Sequence, residues 1–229
     1  MIVKQLKLPD HFTRRLIVMA AGLFLSALGV SFSIKAELGA SPLGCCPAVF
    51  SPALGFSVGT GVWILCFIAI AVQVAVLRRR FAPVQLLQIP MALFYGYMTD
   101  LTLLMISPLP DGGIFRAVLY CVLGIVLLGS GIFVTMAAEL LCLSPDAALR
   151  AISEVSGWPY SRLKIIMDCF LVASATVGSL LLYGRLYQVG VGTFAGAVLV
   201  GAFIGFLKSM GAPEACLRRF MRSPARQSL

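Results

Sequence analysis

Five charged side chains stand in or beside apolar runs, where a charge is costly and therefore informative. Lys35 and Glu37 follow the first run, Glu139 follows the fourth, Asp100 lies in the third and Asp168 in the fifth. A carboxylate or ammonium at a bilayer centre costs about 2.5–3.5 kcal/mol on insertion scales, and those that persist line cavities or pair. Lys164 precedes Asp168 by four residues, a spacing that puts both on one helix face. Glu37 and Glu139 hold matching places, which points to a shared structural or binding role. A buried carboxylate is raised in pKa and can carry a proton. Gln88, with Gln85 beside it, adds an amide to the third run, for a polar route or for bonding across helices. Ser41 and Ser144 each precede a proline, a good helix opening. The substrate-binding candidates are therefore Lys35, Glu37, Ser41, Gln88, Asp100, Glu139, Ser144 and Asp168. Plainer roles compete: Lys35 and Glu37 at the membrane interface, Asp168 neutralising Lys164, Asp100 at the outer water boundary.

Other chemistry is poorly served. His11 is the one histidine, which nearly excludes a histidine metal site or catalytic triad. The seven cysteines are odd in number, contain no C-x-x-C and lie mostly in apolar runs, where a thiol packs as a small hydrophobe. Packing is also the simpler reading of the adjacent Cys45 and Cys46. No spacing matches a phosphate loop. Asp100 and Asp168 lack the G-x-G-D context of an intramembrane protease. The expectation is a protein that is not an enzyme, with no catalytic residue, cofactor or metal.

The elements that position these residues follow from composition. The 229 residues are 60% hydrophobic and 12% charged, with mean hydropathy +0.99. A soluble domain carries roughly 25% charged residues. Nine acids and eighteen bases cannot cover the surface of a 24.5 kDa globule, which leaves a membrane protein with the bilayer as solvent. Six runs approach the roughly 20 residues a bilayer core requires: Leu16–Ile34, Val58–Leu77, Val84–Ile106, Ile114–Ala137, Ile165–Tyr183 and Val189–Leu207. The first is too long for the apolar core of a cleaved signal and reads as a retained span. With the N-terminus in the cytoplasm, fifteen lysines and arginines lie inside, and only Lys35, Arg116 and Arg185 lie outside. Both termini are thus expected in the cytoplasm. The net charge of +9 orients the chain rather than binding nucleic acid.

The chain is two copies of one pattern. GVSFSIKAELGASP, Gly29 to Pro42, recurs as GIFVTMAAELLCLSP, Gly131 to Pro145. Each copy then runs through a short segment to a glycine, Gly55 or Gly157, and on into another span. Repeat 1 covers about residues 14–108 and repeat 2 about 112–208, with a basic cytoplasmic tail at 209–229, all in one polytopic domain. Three spans per copy is odd, so the second copy inserts upside down. Inverted repeats of this kind mark secondary transporters, with the site near the midplane between the halves. The segment after each first span is too short to cross. Ser-Pro predicts a half-helix from Pro42 toward Leu54 and another from Pro145 toward Val155. They either re-enter, their amide ends facing each other as an anion cradle, or cap the bundle at the interface. Pro90 is expected to kink the third span. The glycines Gly192, Gly196, Gly201 and Gly205 are expected to pack the sixth against another helix.

Lys35–Pro42 (KAELGASP), Gln88–Asp100 (QIPMALFYGYMTD) and Val189–Ala197 (VGVGTFAGA) resemble the bacterial YczE/YyaS/YitT-like integral membrane proteins, over about Leu16 to Leu207. Copy two departs from the first motif at Leu141-Cys142-Leu143. The resemblance implies a multi-pass inner-membrane protein of about six helices and supplies no substrate. Taken together, the expected protein is an all-α secondary transporter or permease in the inner membrane. It would move a small, anionic solute by alternating access, with the lipid bilayer and a second copy of itself as partners. The alternatives are the substrate-binding membrane subunit of an ATP-driven importer, whose ATPase would be a separate chain, and a structural or assembly protein without a ligand.

Overall fold

The computed structural model describes residues 12–110, 112–140 and 142–211. Among them are eight α-helices: α1 (Phe12–Lys35), α2 (Pro42–Leu54), α3 (Val58–Leu77), α4 (Gln88–Ile106), α5 (Ile114–Ala137), α6 (Ser144–Ser156), α7 (Tyr160–Tyr183) and α8 (Val191–Met210). Six are long and apolar enough to cross a membrane, and α2 and α6 are the short ones. The protein is an all-α membrane protein of two inverted three-span repeats. The basic tail lies almost wholly outside the described residues.

Local chemistry sets the helix ends. Ser41 Oγ accepts from the Gly44 amide and Pro42 opens the first turn of α2, where a missing N–H costs nothing. Gly55 and Gly157 close α2 and α6 in the left-handed conformation, φ 79° and 74°. Ser57 caps α3 by accepting from Thr60 N at 3.1 Å. Pro90 makes no mid-span kink. The third span begins as a 3-10 stretch, Pro83–Leu87, and α4 starts only at Gln88, so Pro90 falls in its first turn. The fifth span is longer than its apolar run and starts at Tyr160.

The repeats superpose in sequence with one offset. Phe12, Pro42 and Val58 at the starts of α1, α2 and α3 recur 102 residues on as Ile114, Ser144 and Tyr160. Packing obeys the same offset. Gly22 lies against Thr135, and its equivalent Gly124 lies against Ser33. Gly29 lies against Leu128, and Gly131 against Ser26. Each contact is answered by its swapped twin, the mark of a twofold relation. The pairs run antiparallel along α1 and α5, so the axis is perpendicular to both helices and passes near Ala27 and Gly129. A Cβ on any of these four glycines would intrude on backbone of the opposite helix, which is why small residues occupy this seam.

The half-helices are exchanged across the seam. α2, from repeat 1, packs on α7; α6, from repeat 2, packs on α3. The outer spans are less symmetric: α4 packs on α1 and α3, α8 on α5 and lightly on α2. Gly192 fits tightly against the Leu38 and Gly39 carbonyls, but a Cβ on Gly196, Gly201 or Gly205 would meet nothing. The expected glycine packing in span six therefore stops at its first turn: α8 meets α5 through other residues, such as Phe203 against Gly129, while Gly196, Gly201 and Gly205 meet none of the described residues.

Candidate functional site

The α1–α5 seam packs glycine against backbone close to the pseudo-axis, with Ser26 buried in it. Buried polarity sits to either side, where the two half-helices begin. α1 ends eight residues beyond Ala27, about 12 Å along the helix from the axis, which is short of the roughly 15 Å half-thickness of a bilayer core. The chain then turns inward. At the first turn of α2, Cys46 Sγ donates to Leu171 O at 3.1 Å, the mid-length of α7. Past its middle, Val49 O accepts from Tyr183 Oη at 2.9 Å, at the last residue of α7. α2 thus climbs α7 from its middle to its end. α6 starts against the second half of α3: the Ser144 carbonyl accepts from Gln73 Nε2 at 3.1 Å, and Ser144 shares a cavity wall with Cys66 at mid-helix.

The two N-terminal ends differ in chemistry. At the α2 end Ala40, Cys45, Ala48, Val49, Ala175 and Val189 form one buried apolar cluster, with buried Gln188 beside it, its Nε2 donating to Ile34 O at 3.1 Å and its carbonyl accepting from Ala40 N. The α6 end is polar. Gln73 and Gln88 exchange two amide hydrogen bonds, Gln73 Nε2 to Gln88 Oε1 at 3.0 Å and Gln88 Nε2 to Gln73 Oε1 at 3.1 Å. They are 1% and 3% exposed. The amide pair clasps α3 to α4, and the Ser144 bond adds α6. Beside it lies a cavity of about 10 Å³, room for one water, walled by Cys66, Gln88, Thr135, Cys142 and Ser144 among apolar neighbours. The position 102 residues after Gln73 is Ala175, which explains the contrast between the two ends.

The candidate residues separate. Gln88 and Ser144 come together at the α6 clasp. Ser41 caps α2 at the other cluster, and the two half-helices both pack on α3 and α7. Lys35 donates to Ser107 O at 3.3 Å and so holds the end of α4. Glu37 and Glu139 are exposed rather than buried, with positive φ of 55° and 51°, and each amide closes the last turn of its span, on Ile34 O and Met136 O. Glu139 also pairs with Arg15 at 3.5 Å, while Arg15 donates to Ala138 O at 3.1 Å. Asp100 caps α3: Oδ1 accepts from Gly59 N at 2.7 Å and Oδ2 from Ser57 Oγ at 2.6 Å.

Asp168 does belong to a charged cluster. Lys164 Nζ lies 3.2 Å from Asp168 Oδ1, an ion contact outside hydrogen-bonding direction, and 3.6 Å from Asp146 Oδ1. Tyr160 Oη donates to Asp146 Oδ1 at 3.0 Å. The cluster joins the first turn of α6 to α7. Sequence reasoning passed over Gln73 and Asp146. A glutamine inside the apolar run Val58–Leu77 is itself a signal, because a polar side chain there must find a partner. Asp146 stands directly after the Ser144-Pro145 helix opening.

A model of a family of unknown function (DUF6198) matches residues 13–209. No curated protein and no solved structure matches the chain.

Proposed function

We propose that this chain, which belongs to the family of unknown function DUF6198, is a small secondary transporter of the bacterial inner membrane. Its termini lie in the cytoplasm and it moves a small solute by alternating access. One observation carries the reading: an antiparallel pseudo-twofold seam with a half-helix exchanged across it in each direction, each starting at mid-length of the opposite repeat's span. Discontinuous helices that begin at mid-depth beside an inverted-repeat seam are the usual means of building a solute site in such proteins.

The site favoured is the α6 clasp of Gln73, Gln88 and Ser144, with Cys66, Thr135 and Cys142 around it. It combines buried polar groups, a cavity and a half-helix start. The α2 end has its own buried polar neighbours, Gln188 and Thr193, but they stand beside the apolar cluster of Ala40, Cys45, Ala48 and Val49. Rocking one repeat on the glycine seam would part α6 from α3 and open the clasp to one face. The fifteen-to-three distribution of basic residues supports the cytoplasmic placement of both termini, and the resemblance to YczE/YyaS/YitT-like proteins agrees with a bacterial inner-membrane setting.

The test is reconstitution of the purified chain in liposomes, with solutes first chosen by thermal shift, since a ligand bound only by the folded form raises the apparent melting point. Uptake driven by an ion gradient and the chain alone is the expected result. Uptake that appears only with a copurifying ATPase would replace this reading with that of an importer subunit. No uptake of any stabilising solute would leave a non-transporting membrane protein.

A further inference from the structure

We infer that the α6 clasp takes a neutral solute presenting an amide-like edge, a donor beside an acceptor, and that it rejects anions. The inference rests on the transporter reading for its site and departs from the anionic solute expected from the sequence.

Charge placement comes first. The side chains walling the cavity are an amide, two hydroxyls, two thiols and apolar groups, with no base and no acid among them. A half-helix start attracts anions through its partial positive charge. Here that charge is already answered, because Asp146 puts a carboxylate in the first turn of α6. Two nearby bases are paired with acids: Asp146 and Asp168 flank Lys164, and Glu139 faces Arg15. Arg150 on α6 lies near enough for its charge to act on Cys142 but does not line the cavity, so an anion arriving at the clasp would meet no basic side chain in the wall itself.

Hydrogen-bond form comes next. Gln73 and Gln88 form a closed two-bond ring, in which each amide supplies one donor and accepts one bond. Parting them inside a span would strand two donors and two acceptors, a costly state without a replacement. A solute with its own amide edge restores both bonds to one or both glutamines. In the closed form each glutamine stands where that edge would sit, and the adjoining cavity, with room for one water, is the remaining volume. A carboxylate offers acceptors only and would leave the glutamine acceptors unpaired.

The experiment uses the full-length protein in detergent with matched probes: acetamide against acetate, and nicotinamide against nicotinate. Binding is read by calorimetry and thermal shift. The comparison variant is the double substitution Gln73→Leu with Gln88→Leu, since removing both partners of a buried pair is far milder than removing one. If that variant does not fold, the Gln73→Met, Gln88→Met pair replaces it. The expected result is that an amide binds at least tenfold more tightly than its acid, with the preference lost in the double variant. Equal or tighter binding of the acids, amide binding unchanged in the double variant, or binding of none of the four probes overturns the inference. Liposome uptake separates the two claims. Amide binding without uptake sinks the transporter reading alone, whereas uptake of carboxylates unaffected by the double variant sinks only this one.

Discussion

Glu37 and Glu139 hold the same backbone conformation, φ 55° and 51°, at equivalent ends of α1 and α5. Neither is buried, and each amide closes a turn on the residue three back, Ile34 or Met136. Their symmetry is that of two helix stops. Positive φ is costly for a side chain with a Cβ and free for glycine. Glu37→Gly should therefore leave the melting temperature unchanged or raise it, Glu139→Gly should fare worse because it also gives up the Arg15 ion pair, and each should leave uptake intact. A β-branched replacement, Glu37→Val, should cost about 1–3 kcal/mol through strain. A Glu37→Gly protein that folds normally but loses the pH dependence of uptake would restore the proton-carrying role.

The glycine seam gives a sharper contrast. A Cβ at Gly29 would strike the backbone of Leu128, and at Gly131 the backbone of Ser26. Neither site can yield by moving a side chain. Gly29→Leu and Gly131→Leu should each cost about 3 kcal/mol or more, the upper end for overpacking, and should abolish a monodisperse profile in size-exclusion chromatography. Gly201→Ala and Gly205→Ala meet open space, so they should be neutral or gain up to about 1 kcal/mol of helix propensity. Loss of an oligomer on Gly201→Leu, with the fold retained, would show that a second copy covers this face.

Why some of this was legible and some was not follows from the residues themselves. Spans read well because an apolar run of bilayer length has one solution. The repeat read well because Glu37 with Ser41-Pro42 recurs as Glu139 with Ser144-Pro145. Inversion then followed from an odd number of spans. The site read poorly. Charge drew attention to Glu37, Glu139 and Asp100, yet charges at helix ends satisfy backbone groups, as Asp100 does for Gly59 N. The buried polar centre is instead made of neutral amides, and Gln73 finds Gln88 only once α3 and α4 pack side by side. The third span's proline misled for a related reason. Whether Pro90 kinks a helix or begins one depends on where the helix starts, and the 3-10 stretch before it decides that.

Asp100 tests the difference between a cap and a ligand. Its two oxygens take Gly59 N and Ser57 Oγ at the start of α3. Asp100→Ala should cost about 1–2 kcal/mol, the worth of a lost N-terminal cap, seen as a fall in melting temperature. Asp100→Asn keeps one acceptor and should lose less. Affinity for any solute held at the α6 clasp should be unchanged in both. A large loss of affinity at normal stability would instead make Asp100 part of the binding site.

The Lys164 cluster has a direction built into it. Lys164 stands between Asp168 and Asp146, so removing Asp168 leaves the lysine one partner, whereas removing Lys164 leaves two carboxylates facing each other across the α6–α7 join. The side chains are 23–30% exposed, which places the pair between surface and buried limits. Lys164→Ala should therefore cost more than Asp168→Asn, about 2 against about 1 kcal/mol on that middle scale. The double variant should recover part of the Lys164→Ala loss, because one of the two unpaired charges has gone. Repeat 1 carries Val62 and Cys66 at the equivalent places, so only one half-helix is held this way. A charged latch on one side alone therefore favours the form in which α6 stays docked on α7 of its own repeat. Cysteine labelling at the clasp, with Cys142 as the reporter, reads that preference: labelling should be slow in the parent protein and faster in Lys164→Ala. Equal rates in both would mean that the cluster steadies α7 without holding the half-helix.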